Sequence, residues 1–330
     1  MNNNQHTQKN LILGAVKGYE FEQIKPFLTS LKNSGFKGDV CFLAANLSTE
    51  TTNALQEYGV NLYPFKELYF YFPFVDKNGR FTLRRKIPIH YLLNFPPLKG
   101  LYSFLVNSST FFLSEQEKYL TKSRITQKFL HVMTSRYLLY YLYLYEYGNN
   151  YSNIMLTDVR DVLFQRDPFD FEFDNSLCCF LENKDKTLSS CSTNSRWLRK
   201  GFGNYLVREI GDKNISCSGT TIGSRSSIML YLEAMINCLV NLKSHAWGID
   251  QGVHNYIIYK NLVKNVRLYE NHQGPVLTMM YIKENQLRFN SSGFLINEDG
   301  SVINVLHQYD RHSSELKKKM VVYQESEATV

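Results

Sequence analysis

The chain contains no run of about 18 uninterrupted apolar residues, and its first residues, MNNNQHTQKN, hold no basic stretch leading into an apolar one. Neither a membrane-spanning helix nor a secretory leader is offered, so the sequence predicts a soluble, cytoplasmic protein with no integral membrane segment. Its cysteines, at 41, 178, 179, 191, 217 and 238, lack the paired short spacings of a zinc site, and the adjacent Cys178 and Cys179 cannot readily bridge each other. They read as reduced, buried thiols. Internal repeats and low-complexity tracts are also missing. The formal charge is +7, yet the densest basic runs are only Arg84-Arg85-Lys86 and Lys317-Lys318-Lys319. With no module on which basic and aromatic residues interleave, a nucleic-acid partner is not expected; a scattered positive field suits a phosphate-bearing small molecule.

What is present is an ordinary globular composition with an aromatic excess. Of 330 residues, 44% are apolar and 20% charged, while Tyr and Phe number 23 and 22. That length buries a core without staples. Asn10 to Val16 reads as a strand, followed by Phe21, Ile24, Phe27, Leu28 and Leu31 at helical spacing. Val40 to Ala45 is a second strand, Ser48 a plausible N-cap for a helix ending near Gly59, and Val60 to Phe65 a third strand. The alternation predicts a parallel sheet with its ligand crevice at the carboxyl ends of the strands. Residues 66–120 are aromatic, Pro-containing and poorly periodic, and read as a long excursion. Helices are expected over Thr126 to Tyr147 and Ser226 to Leu242. Residues 1–9 read as disordered, 10–312 as a single domain, and 313–330 as a charged, frayed tail.

Chemistry concentrates in residues 153–169, NIMLTDVRDVLFQRDPF: an apolar strand, two carboxylates around an arginine, and a second apolar run. Residues three apart point to opposite faces of a regular strand, so Asp158 and Asp161 converge only if the strand breaks after Thr157. Two carboxylates at a strand end, completed by water and phosphate oxygens, form a site that Mg2+ or Mn2+ prefers. The plainer reading is a turn in which Asp158 caps the chain or Arg160 pairs with a neighbour.

The run LTDVRDVLFQRDPF resembles the metal-binding DxD segment of GT-A type nucleotide-sugar glycosyltransferases, most broadly the glycogenin-like and lipopolysaccharide galactosyltransferase-like group. The acids here are spaced D-x-x-D. By its spacing to Asp167, Asp161 matches the second acid of the motif and Asp158 stands one position early, which leaves open which of them ligates the metal directly. Further segments follow in the family's order. Ser135-Arg136-Tyr137 is similar to the helix whose Arg reaches the donor; Arg136 alternatively snorkels off a helix face. The run from Ser216 to Gly223, with Ser218 and Gly219, resembles the small-residue turn and strand lining the sugar pocket, or is a plain tight turn. Trp247 to Gly252 resembles the Asp-Gln segment near the reacting sugar, with Asp250 and Gln251 in the catalytic positions, unless Asp250 is a helix N-cap. The Val305 to Asp310 segment resembles the strand whose His, here His307, completes the metal shell. A polar run at Glu270 to Gly274 has no assigned role.

The resemblance implies an α/β fold of the GT-A type, with a mostly parallel central sheet flanked by helices, and a transferase using Mn2+ or Mg2+. It would move a hexosyl or pentosyl group from a nucleotide-sugar donor, a UDP-sugar first among them, to a glycan or other hydroxyl acceptor in polysaccharide biosynthesis. Asp158, Asp161 and His307 would hold the metal; Arg136, Asp158, Arg160, Ser218 and Gly219 would bind the donor. The likeness leans toward retention, while the residues leave inversion open. Two rivals remain: a carbohydrate-binding or sugar-nucleotide-binding relative without catalysis, and a sugar-phosphate nucleotidyltransferase. The second normally carries a Gly-rich, Arg-containing cradle after the first strand, where this chain has Gly14-Ala15-Val16-Lys17-Gly18-Tyr19. Nothing in the sequence sets the oligomeric state.

Overall fold

The computed structural model describes residues 9–75, 78–79 and 81–325. The first half-sheet follows the sequence closely: β1 (Lys9–Lys17), α1 (Phe21–Asn33), β2 (Asp39–Ala45), α2 (Thr49–Glu57) and β3 (Asn61–Pro64), with the three strands parallel. Ser48 caps α2, its hydroxyl accepting from the Thr51 N–H at 3.0 Å, which satisfies one of the donors a helix start leaves free. Of the expected disordered leader, residues 1–8 lie outside the described residues, and Lys9 already belongs to β1.

The excursion expected over 66–120 holds regular structure. It contains the antiparallel hairpin β4 (Tyr69–Val75) and β5 (Phe81–Pro88), then α3 (Pro96–Ser109) and α4 (Glu115–Thr126). Periodicity missed α3 because its faces are inverted. Lys99 is buried and donates to the Val240 carbonyl at 2.5 Å, whereas Leu101 and Phe104 are 54% and 66% exposed. Next comes α5 (Val132–Tyr147), which starts later than expected because Thr126 closes α4 and His131 is the N-cap, its Nδ1 accepting from the Met133 N–H.

The chain then runs through β6 (Tyr151–Thr157), β7 (Val162–Phe164), β8 (Leu177–Leu181), α6 (Ser192–Phe202), α7 (Asn204–Ile210), β9 (Ser216–Ser224), α8 (Arg225–Asn241) and α9 (Ile249–Tyr259). It ends with β10 (Val266–Tyr269), β11 (Val276–Thr278), β12 (Val305–His307) and α10 (Ser314–Glu325). The central sheet has the order β10-β8-β9-β6-β1-β2-β3. Only β9 runs against its neighbours, so the sheet is mostly parallel, and helices cover both faces. Alternate residues of β1 divide between the two layers: Leu11 and Leu13 pack with α5 and α8, Ile12 and Val16 with α1. That two-sided burial explains the nearly continuous apolar run.

A small sheet, β11-β12-β7, lies beside the large one, with β12 antiparallel to β7. Of the tail expected to fray, Ser314–Glu325 forms α10 instead, and residues 326–330 lie outside the described residues. Leu316 and Met320, four residues apart on one face, are buried with Leu163, Leu277 and Leu306 of the small sheet. Among the described residues no helix is long and apolar enough to cross a membrane. All six cysteines are free thiols, and all but the half-buried Cys238 are buried.

Candidate functional site

The strand order reverses at β1, with β2 on one side and β6 on the other, and a ligand crevice is expected at the carboxyl ends there. β6 ends at Thr157. The Asp158 N–H still donates to the Gly219 carbonyl on β9 at 2.7 Å, after which the chain leaves the sheet. It resumes as β7, where Val162 lies opposite His307 of β12, and the Gln308 N–H donates to the Asp161 carbonyl at 2.7 Å. Breaking the strand between two anchored ends removes the obstacle of the three-residue spacing. One ligand atom each from Asp158, Asp161 and His307 lies within 4.8 Å of the others.

Arg136, buried on α5, organises the acids. Its Nη1 donates to Asp158 Oδ1, and its Nη2 reaches Asp250 Oδ2 and the Tyr137 hydroxyl, each at 3.2 Å. With Oδ1 committed, Asp158 turns Oδ2 toward His307 Nε2, 3.5 Å away. Burial would raise the Asp158 carboxyl, but Arg136 and His307 overcome it and hold it well below the ordinary carboxylate range. Asp161 has no such guanidinium bond; Arg311 Nη2 approaches only to 3.6 Å. Burial and the neighbouring Asp158 and Asp310 raise its pKa. Asp250, in the first turn of α9, is pushed up to about 6 by burial against the pull of Arg136.

His307 is fully buried, with Nδ1 at 3.6 Å from Cys217 Sγ and Nε2 without a hydrogen-bond partner. The contact of Nε2 is the Asp158 carboxylate at 3.5 Å, too long and poorly directed for a full hydrogen bond, so this buried nitrogen has capacity left for a ligand. Burial disfavours a charged ring, yet the Cys217 sulfur and the Asp158 and Asp161 carboxylates raise its proton affinity well above the ordinary value. The same negative surroundings favour a divalent cation in place of that proton. Gly219 keeps the space open: a Cβ there would fall 2.6 Å from His307 Nε2 and 2.7 Å from Asp158 Oδ2. Two carboxylates and an imidazole around an open position fit Mn2+ or Mg2+, with water and phosphate oxygens completing the shell.

The cluster borders a cleft of about 650 Å3, lined among others by Arg136, Asp158, Arg160, Asp161, Ser218, Gly219, Asp250 and Gln251. The sequence-predicted residues thus come together, but not all are free to act. Gln251 accepts from the Ser218 N–H at 2.7 Å and donates to the Ser216 carbonyl at 3.1 Å and Glu182 Oε1 at 3.2 Å. Its amide braces β9 rather than facing the cleft unengaged. Arg160 is half-exposed, nearest Asp310 at 3.8 Å. Lining residues that sequence reasoning missed include Glu182, Asn194, Trp197 and Arg311. Of these only Glu182 carried a signal, a lone carboxylate directly after the apolar strand LCCFL; burial pushes it up to about 7. Of the Glu270–Gly274 run, Glu270, Asn271, His272 and Gln273 line a separate, smaller cavity of about 330 Å3 instead.

No protein-family model matches the chain, and no curated protein matches its sequence. Solved structures similar in fold include an apo bifunctional glycosyltransferase, WbbM, at 10% identity and a TM-score of 0.45, covering 97% of this chain and 45% of that one. Another is core-mannan synthase A (CmsA/Ktr4) from Aspergillus fumigatus in its Mn/GDP form, at 14% identity and a TM-score of 0.40, covering 82% of this chain and 74% of that one. The chain therefore spans less than half the length of the bifunctional enzyme.

Proposed function

We propose that this chain is a metal-dependent glycosyltransferase that moves a sugar from a nucleoside diphosphate donor to a hydroxyl acceptor. The observation that carries the reading is the convergence of Asp158, Asp161 and the buried His307 Nε2 beside one cleft at the reversal point of the sheet. The cleft volume suits a nucleotide sugar, since ligand pockets of this kind run to several hundred Å3.

Held by Asp158, Asp161 and His307, Mn2+ or Mg2+ would supply a Lewis acid that neutralises charge on the departing diphosphate. The protein's own contribution is preorganisation. Arg136 fixes the Asp158 carboxylate and has both terminal nitrogens engaged by Asp158 and Asp250, so it acts as a positioning residue. Arg160, half-exposed at the cleft, is the guanidinium available to the donor phosphates. Gln251 holds the Ser218–Gly219 backbone where the donor sugar would lie. Asp250, ionised above about pH 6, is poised either to take the proton of the incoming hydroxyl or to stabilise positive charge on the reacting sugar. The anomeric configuration of the product separates those roles.

The decisive experiment is a screen of nucleoside diphosphate sugars, UDP-sugars first, for slow donor hydrolysis with Mn2+ and with chelator. Release of nucleoside diphosphate that needs the metal, and that Asp158→Asn and Asp161→Asn abolish in folded protein, supports the reading. Undiminished turnover by both variants in chelator sinks it, and pyrophosphate release from a nucleoside triphosphate would replace it with nucleotidyl transfer.

A further inference from the structure

The chain has only two tryptophans, and both line the cleft that holds Asp158, Asp161 and Asp250. Trp197 projects from α6 and Trp247 from the turn before α9, with ring centroids 6.2 Å apart and planes inclined at 60°. Trp247 is 66% exposed, an unusual position for an indole unless something covers it. The arrangement is built in. Gly248 sits at φ +76, and a Cβ on it would fall 2.2 Å from Trp197 Cζ2, so the backbone of this turn lies directly against the indole of Trp197. Asp250 follows Trp247 by three residues, which ties the aromatic pair to the reacting end of the cleft.

A second, independent observation lies on the same wall. Asn194, one helical turn before Trp197 on α6, lines the cleft and is only 5% exposed. Its Nδ2 donates to Cys191 Sγ at 3.3 Å, but its Oδ1 is buried with no hydrogen-bond partner. A buried carbonyl acceptor without a partner, in the same cleft as an exposed indole, asks for a ligand that brings both a hydroxyl and a flat apolar face. A pyranose has this combination: one face of C–H groups and a rim of hydroxyls. A lipid tail would leave Asn194 unsatisfied.

We propose that Trp197, Trp247 and Asn194 form the acceptor subsite, and that the acceptor is a carbohydrate whose pyranose ring stacks on the Trp247 indole while a hydroxyl donates to Asn194 Oδ1. The inference rests on the glycosyltransferase reading only for the order of the two ligands. A nucleotide is expected at the β1 end of the cleft, near Lys17 and Tyr19, where the strand order reverses. The tryptophans stand on α6 and on the turn before α9, and α9 packs against β9, two strands away from β1 in the sheet.

Because no other tryptophan exists among the 330 residues, tryptophan emission excited at the red edge, where the 23 tyrosines do not absorb, reports on this wall alone. The full chain is titrated with maltotriose, mannotriose and lactose at millimolar concentration, and separately with UDP and GDP in Mn2+. At least one saccharide is expected to quench or shift the emission without nucleotide present. Trp247→Ala and Asn194→Ala are each expected to weaken that binding about tenfold, with Trp247→Phe recovering part of it. In a transfer assay the same variants lower transfer relative to donor hydrolysis and raise the acceptor KM more than the donor KM. Thermal melts of each variant separate misfolding from loss of the subsite. Saccharide binding without any donor turnover keeps the subsite and removes the transferase reading. Donor turnover with acceptor KM unaffected by Trp247→Ala and Asn194→Ala overturns the subsite alone, as does a wall that answers to the nucleobase of UDP or GDP and to none of the saccharides.

Discussion

The ring of His307 occupies the space that a side chain on residue 219 would need. A Cβ at Gly219 would lie 2.4 Å from His307 Cε1 and 2.6 Å from its Nε2, well inside van der Waals contact. Gly219 is held in place from the other side, because its carbonyl accepts the Asp158 N–H. Gly219→Ala is therefore expected to push His307 and Asp158 apart without removing any ligand atom. Affinity for Mn2+, read by calorimetry on the folded protein, should fall about 10–100-fold, the range seen when the support of a metal ligand is disturbed. Unchanged affinity would mean that His307 takes no part in holding the ion.

Arg136 stands between two carboxylates that meet nowhere else, and its removal should be felt in stability. The guanidinium and the Asp250 carboxylate are 5% and 4% exposed. Arg136→Met would leave Asp250 buried without a partner and Asp158 without its strongest one, a loss of about 3–5 kcal/mol for a broken buried pair. Urea unfolding should show this drop, and adding Asp250→Asn to Arg136→Met should restore part of it, because the second charge no longer needs a partner. Strict additivity of the two changes would contradict the shared arrangement.

Much of this arrangement was legible in the sequence, for physical reasons that also mark where legibility ended. β1, β2 and β6 are buried on both faces, so their apolar runs announce strands, and the Asp158–Asp161 segment stands out because acids interrupt such a run. Ser48 was readable because a cap is local. In α3 the burial of Lys99 against the Val240 carbonyl and the exposure of Phe104 reverse the usual pattern, and α10 hides two buried residues in a charged stretch. The partners of Gln251 were beyond reach too: Glu182 is 69 residues away, and only the closure of β8 and β9 over α9 brings them together. Trp197 and Arg311 reach the cleft by packing of the same long-range kind, which no spacing along the chain encodes.

Metal binding should depend on pH through two of its ligands. Asp161 and His307 both hold protons more tightly than their ordinary values, and each must lose its proton to ligate. Mn2+ affinity should therefore keep rising with pH beyond the ordinary carboxylate and imidazole ranges, with proton release measurable in buffers of different ionisation enthalpy. Asp161→Asn should lower the affinity and flatten the slope. Asp158, already ionised through Arg136, should contribute affinity without slope of its own, so Asp158→Asn weakens binding and, by removing a charge that raises the pKa of Asp161 and His307, moves the remaining pH dependence to lower pH.

Glu182 offers the last test, one of stability rather than binding. Burial pushes its carboxyl from the ordinary 4.5 to about 7, so between these values the native state keeps a proton that the unfolded chain has released. The native state then binds more protons, and stability falls as pH rises through that window, levelling off above about 7. The size of the shift makes the total loss about 3 kcal/mol. Glu182→Gln removes the charge while keeping an oxygen to accept from Gln251 Nε2. Urea unfolding at about pH 5 should find the two proteins nearly equal, and at about pH 8 the variant more stable. A parallel decline in both would place the pH dependence elsewhere and show that Glu182 is ionised at a cost the fold already offsets.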